Sequence, residues 1–251
     1  MTDTAVRERL AALADKYETP GFLPGDPSWF MHQVEGIANQ EATAFVASSL
    51  SYGRRDQFMP RMDWLLERSG GEMDAWIRSG NFSSDLAEND PNCFYRLFTR
   101  GDMHSFLMRY RSLLLESGTL GGYLRFVVKA GTGTDAVATI CAYFGSCSSA
   151  SIIPKDTQSA CKRVCMFLRW MVRDSSPVDL GLWSDFIDKS TLIMPLDTHV
   201  LQMAAKFGLL SGRNASMSAA RKLTAVLAGI FPDDPLKGDF ALFGAGVAGE
   251  E

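Results

Sequence analysis

The segment Ser159–Arg173, SACKRVCMFLRWMVR, sets Val164, Phe167, Leu168 and Met171 three or four residues apart, so that they share one face of a helix. Lys162, Met166, Arg169 and Arg173 line the other face, which reads as a solvated cationic one, and Ser159 is the expected N-cap of a helix over Ala160 to Arg173. The same period recurs along the chain with almost no strand-like alternation, so the fold class is all-α.

Downstream of that helix, a short helix is expected over Asp179 to Ile187. The apolar run Leu192–Leu196 then leads to a helix over Thr198 to Phe207 that ends at Gly208. Helices over Ser216 to Ile230 and Pro235 to Phe243 follow, the second behind the start signal Asp234-Pro235. Upstream lies a polar, turn-prone loop, Gly145–Ser159, with Lys155 within it. Before it come helices over about Asp135–Phe144, Leu120–Val128, Met103–Glu116, Pro91–Thr99, Glu72–Ser79, Arg55–Glu67, Gln40–Ser51 and Asp3–Tyr17. The expected organisation is one helical unit, 1–251, in two lobes: residues 28–150, and residues 151–251 with the N-terminal helix.

With 251 residues, 46% of them apolar, the chain can bury a large core without staples. No run of about 18 apolar residues occurs, and the opening MTDTAVRERLAALADKYE alternates charge with Leu and Ala where a signal peptide has an apolar centre. A cytosolic protein without a membrane partner is therefore expected. Cys93, Cys141, Cys147, Cys161 and Cys165 are odd in number and sit in apolar helical patterns, as buried reduced thiols do. No CxxC occurs and only His32, His104 and His199 offer imidazole, so no metal and no other cofactor is expected. The net charge of −4 is unevenly spread. Ile152 to Lys222 holds ten basic and six acidic residues, a net +4, against fifteen and twenty-three elsewhere, a net −8. One basic face on an acidic body follows from that distribution.

Pro195-Leu196-Asp197-Thr198-His199-Val200 places a carboxylate where an apolar run meets a new helix. An aspartate there is a natural N-cap, and that reading is sufficient by itself. PLDTHV also resembles the catalytic-aspartate segment, VDTH or VDVH, of the helix-hairpin-helix DNA glycosylases. The segments SYGRR (Ser51–Arg55), FYRLF (Phe94–Phe98), SACKRVCMFLRWMVR, VDLGLW (Val178–Trp183), IMPLDTHVLQMAAKFGLL (Ile193–Leu210) and DDPLKGDFALFGAGV (Asp233–Val247) together resemble a bacterial family of unknown function that is placed in the same superfamily.

The resemblance implies a two-lobed helical bundle with a central cleft, and a DNA base-excision glycosylase with lyase activity on a damaged base, such as an oxidised purine. In that superfamily the aspartate faces the sugar of an extruded nucleotide, and its partner is a lysine on the helix after the hairpin, whose amine attacks C1′ and forms a Schiff base. Lys162 is the candidate here, 35 positions before Asp197. The separation exceeds that of the common members and resembles the archaeal 8-oxoguanine glycosylases, which carry a longer insertion, here Asp174–Leu196. Taken without Asp197, Lys162 reads as an ordinary lysine of a solvated face.

Arg163 and Arg169 are expected as neighbouring cations that favour a neutral amine and contact DNA. The superfamily's glycine-rich hairpin is replaced by Ile153-Pro154-Lys155-Asp156-Thr157-Gln158-Ser159, so phosphate contact falls to Lys155, Thr157, Gln158 and Ser159. His199 orients Asp197, touches the DNA backbone or is structural. Arg54 and Arg55 suit phosphate contact or a helix C-terminus. Trp29, Trp64, Phe94, Tyr95, Trp170 and Trp183 are base-stacking candidates by residue type, and equally candidates for the core. The alternative to an enzyme is a non-catalytic nucleic-acid-binding or partner-binding helical protein on the same scaffold.

Overall fold

The computed structural model describes residues 3–147, 151–212 and 214–248. Its helices are α1 (Thr4–Tyr17), α2 (Ile37–Leu50), α3 (Arg55–Ser69) and α4 (Met73–Ser79), followed by a two-stranded antiparallel hairpin, β1 (Cys93–Tyr95) and β2 (Phe98–Thr99). Then come α5 (Arg100–Ser117), α6 (Leu120–Val127), α7 (Gly133–Phe144), α8 (Lys162–Val172), α9 (Thr198–Lys206), α10 (Met217–Ala228) and α11 (Lys237–Ala248). The architecture is thus mainly helical, and among the described residues no helix is long and apolar enough to cross a membrane. The chain forms two compact units, one of residues 25–129 and 138–156, the other of residues up to 24, 130–137 and from 157 on.

The first unit is built around α2, in which every residue from Glu41 to Leu50 is buried. Small side chains at Ala42, Ala44 and Ala47 let its neighbours approach on all sides, and the Phe45 ring meets those of Phe106, Tyr110 and Phe144 at 4.9–5.6 Å. Glu41 is a charged residue in that core, and its carboxylate accepts the Leu120 and Gly121 N–H groups at 2.6 and 3.1 Å. It therefore satisfies orphan amides at the start of α6 from inside the unit.

In the second unit α11 packs against α1 and α9. A Cβ at Gly244 would strike the Tyr17 ring and one at Gly246 the His199 imidazole, so these two glycines set how closely the helices approach. Leu23, Val178 and Phe240 form a buried cluster beside them, with Tyr17 and Phe22 packed on it. Every residue of α8 from Val164 to Val172 is buried, Arg169 included.

Three expectations are corrected. Pro91–Thr99 is no helix: the Asp90 carboxylate accepts the Asn92 backbone and side-chain N–H groups at 2.9 and 2.6 Å, closing a local turn instead of capping a helix. The effective cap is Thr99, which forms a capping box with Asp102 and starts α5. Asp179–Ile187 is not helical either. Its Leu180 and Gly181 amides bond the Trp170 carbonyl and its Trp183 amide the Met171 carbonyl, so the segment folds back to satisfy the C-terminal end of α8. The Asp234-Pro235 start signal stands to within two residues: the Asp234 carbonyl accepts the Lys237 amide at 3.0 Å and α11 begins at Lys237, although the Asp234 carboxylate goes to Arg173 instead of capping the helix. Ser159 does not cap α8. It forms a bridge with Ser216, and Cys161, in left-handed conformation at φ 48°, precedes the helix. Of the expected loop Gly145–Ser159, residues 148–150 lie outside the described residues, as does Arg213 of the basic segment. Among the cysteines, Cys141, Cys161 and Cys165 are buried, whereas Cys93 is exposed.

Candidate functional site

Lys162 is the first residue of α8 and Asp197 the N-cap of α9. The aspartate divides its two oxygens. Oδ1 accepts the Val200 amide at 2.8 Å, an N-cap bond, while Oδ2 lies 2.7 Å from Lys162 Nζ. The cap and the ion pair are therefore not alternatives: one carboxylate does both. Burial pushes this carboxyl up, but the Lys162 ammonium and the Val200 amide outweigh that and hold it below the ordinary aspartate value. Both side chains keep about a third of their surface in solvent, 32% for Lys162 and 27% for Asp197, so a substrate can reach them.

Behind the pair, the supposedly solvated face of α8 is a buried charge network. Arg169 is 4% exposed and Arg173 2%. Arg169 pairs with Asp179 at 3.2 Å and with Asp239 of α11 at 2.5 Å. Arg173 pairs with Asp179 at 2.5 Å, Asp234 at 2.7 Å and Glu18 at 2.8 Å. Both guanidinium groups also lie over the Phe240 ring, at 4.5 and 5.2 Å. Burial works against the Arg173 charge, yet Asp234, Asp179 and Glu18 hold its pKa above the ordinary arginine value. Burial pushes the carboxyls of Asp179 and Asp239 up against the pull of the arginines, and Asp239 also feels Lys162 and Asp197. The acids that organise α8 are thus Glu18, Asp179, Asp234 and Asp239, none of which was expected at the site. The signal for two of them is an aspartate inside an apolar run, as in Val178-Asp179-Leu180 and Gly238-Asp239-Phe240.

Of the other expected site residues, Arg169 is corrected most sharply: two buried carboxylates occupy its guanidinium, leaving it no part in DNA contact. His199 turns toward α11, where its imidazole meets Phe243 edge to face at 6.2 Å and abuts Gly246, and its Nε2 is buried with no hydrogen bond among the described residues. These contacts pack α9 against α11. Arg163 is half-buried in the first turn of α8. Thr157 is half-buried, whereas Gln158, in a bend, and Ser159, the bridge residue, are exposed ahead of α8. Lys155, Arg54 and Arg55 belong to the other unit. Lys155 is exposed there; Arg54 and Arg55 sit at the N-terminus of α3, not at a helix C-terminus, and salt-bridge Asp56 at 2.6 Å and Asp26 at 3.2 Å. Trp170, Trp183, Phe94 and Tyr95 are buried, and Trp64 stacks on Phe94 with Arg68 and Arg100 over its ring, which leaves Trp29, 38% exposed, as the most open of the six aromatic candidates. No group of three or more His, Cys, Asp or Glu among the described residues is placed to hold a metal ion.

Residues 26–248 match a family described as a protein of unknown function (DUF2400), and the chain belongs to that family. No curated protein and no solved structure matches the chain.

Proposed function

We propose that this protein is a DNA base-excision glycosylase of helix-hairpin-helix type with lyase activity, acting on a damaged base such as an oxidised purine through Lys162. The observation that carries the reading is the 2.7 Å contact between Lys162 Nζ and Asp197 Oδ2, made by the first residue of one helix and the N-cap of another, with both side chains open to solvent. A cap needs no lysine, and a surface lysine needs no half-buried carboxylate fixed by a backbone amide.

The chemistry follows from the pair. Asp197 Oδ2 takes a proton from the Lys162 ammonium, and the freed amine attacks C1′ of the deoxyribose. The C1′–N bond breaks, its electron pair leaves on the base, and the proton held by Asp197 is available to that leaving group. The bonded nitrogen then gives up one proton, the C1′–O4′ bond opens with its electron pair on O4′, which takes that proton, and a protonated imine joins Lys162 to the sugar. Once that proton has passed to the departing base, the ionised aspartate opposes the positive charge left on the sugar and the imine, and its position at a helix N-terminus favours the ionised form.

The test is to incubate the protein with duplexes carrying single lesions in the presence of borohydride, which reduces the imine to a stable secondary amine. The expected result is a covalent protein–DNA adduct on at least one damaged purine. Its absence across a broad panel of lesions overturns the lyase reading. A second reading, a non-catalytic nucleic-acid-binding protein on the same scaffold, is favoured by the lack of glycine between Ser151 and Cys161, where backbone amides would approach a phosphate. Salt-dependent DNA binding with neither base release nor adduct would support it.

A further inference from the structure

We infer that Arg221 and Lys222 of α10, with Thr157 and Ser218, form a phosphate-binding groove that holds the nucleic-acid backbone a few nucleotides from the Lys162–Asp197 pair. The inference rests on the base-excision reading only for the identity of what Lys162 meets; the groove itself is read from its own residues.

The groove is shallow, about 510 Å3, and is lined by Thr157, Met217, Ser218, Arg221, Lys222 and Ala225. It presents two cations and two hydroxyls and no carboxylate, on a chain whose net charge is −4. Five other cations of this unit are engaged by acids. Lys162, Arg169, Arg173, Lys189 and Lys237 each lie within salt-bridge distance of an acid. Arg221 and Lys222 are exposed, and among the described residues neither has a carboxylate within the 4.0 Å that defines an ion pair. Adjacent like charges left without counter-ions cost stability through mutual repulsion, a cost that a bound polyanion reverses.

Chain geometry ties the groove to the ion pair. Thr157 lies five residues before Lys162 in the same compact unit, so a fully extended chain limits their separation to about 18 Å. That is roughly five base steps at about 3.4 Å per step along one strand. The bridge between Ser159 and Ser216, the N-cap of α10, fixes the segment that runs from the groove to α8. A strand whose sugar stands at Lys162 therefore has phosphates within reach of Arg221 and Lys222. A discrete small anion would need convergent buried donors, whereas exposed cations along an open groove suit a backbone that continues past both ends.

The experiment measures binding of the full chain to a fluorescent duplex by anisotropy over a series of salt concentrations. The double variant Arg221→Ala with Lys222→Ala is expected to bind more weakly and to flatten the slope of log affinity against log salt by close to two, since each phosphate that a side chain neutralises adds about 0.9 to that slope. The charge-preserving double variant Arg221→Lys with Lys222→Arg is expected to keep the slope. A double-alanine slope equal to that of the wild type, or a wild type that does not bind DNA, overturns the groove. Borohydride trapping by the wild type is scored separately on the same duplex: a flattened slope with no adduct keeps the groove and removes the lysine chemistry, and an adduct with an unflattened slope does the reverse.

Discussion

Lys162→Gln is expected to give no borohydride-trapped adduct on any duplex that the wild-type protein traps, a complete loss read as the disappearance of the shifted band on a denaturing gel. Glutamine nearly matches the reach of lysine and can still donate to Asp197, but it has no amine to form an imine. The folded state should survive, because the pair is about a third exposed and such pairs contribute roughly 0–1 kcal/mol. A surviving adduct would assign the chemistry to another amine. Asp197→Asn separates the two jobs of the aspartate. Asparagine caps a helix about as well as aspartate, so the Val200 amide keeps its acceptor, and the fall in melting temperature is confined to the lost ion pair, roughly 4 °C at most. What disappears is the proton acceptor and the negative charge beside the sugar, and base release is expected to fall by about 10²- to 10⁴-fold in single-turnover assays. An Asp197→Asn protein as fast as the wild type would leave Asp197 as a cap and nothing more.

The same pair sets a pH dependence whose sign is fixed by its direction. The Asp197 carboxyl is held below its ordinary value in the folded protein, chiefly because the effect of Lys162 exceeds that of burial. The folded state thus resists protonation more than the unfolded chain does. The stability this contributes is fully present above the unfolded aspartate value of about 3.9 and is lost as the pH falls through the lower folded value. The melting-temperature difference between wild type and Asp197→Asn should hold steady from pH 7 to 5 and narrow toward pH 3. A difference that grows on acidification would contradict the assignment.

The α8 stripe and the Asp197 cap were legible in the sequence because each is written in residues that are neighbours along the chain. Val164, Phe167, Leu168 and Met171 announce an apolar face through their spacing, and Asp197 announces a helix start through the run before it. The burial of Arg169 and Arg173 was not legible in that way. An arginine on a helix reads as solvated unless its partner is known, and here the partners come from Glu18, Asp179, Asp234 and Asp239, up to 155 positions away. The hairpin at Cys93–Thr99 failed for a different reason. Asp90-Pro91 carries the composition of a helix start, but Arg96 in left-handed conformation at φ 51° turns the chain, and Thr99 with Asp102 offers a stronger cap a few residues on. Competing local signals of equal kind are ranked by the packing they permit, which no short window contains.

The largest effect on stability is expected from Asp179→Ala, at about 3–5 kcal/mol. Asp179 has no exposed side-chain surface and accepts from both Arg169 and Arg173. Its removal leaves two buried guanidinium groups with one fewer acceptor each, and uncompensated buried charge is what makes such changes costly. Arg169 retains Asp239, and Arg173 retains Asp234 and Glu18, so the network is weakened and not abolished. For a chain of this size each kcal/mol corresponds to about 2–4 °C, and a fall in melting temperature of roughly 6–20 °C is expected by calorimetry. The comparison that gives the result meaning is Asp174→Ala. Asp174 makes an equally short contact, 2.5 Å to Lys189, but the two side chains are 48% and 32% exposed. Solvent screening and side-chain entropy limit that pair to about 1 kcal/mol or less. If bond length governed stability, the two variants would melt together. If burial governs it, only Asp179→Ala collapses, and equal melting temperatures would mean that the charge network behind Lys162 does not hold α8 in place.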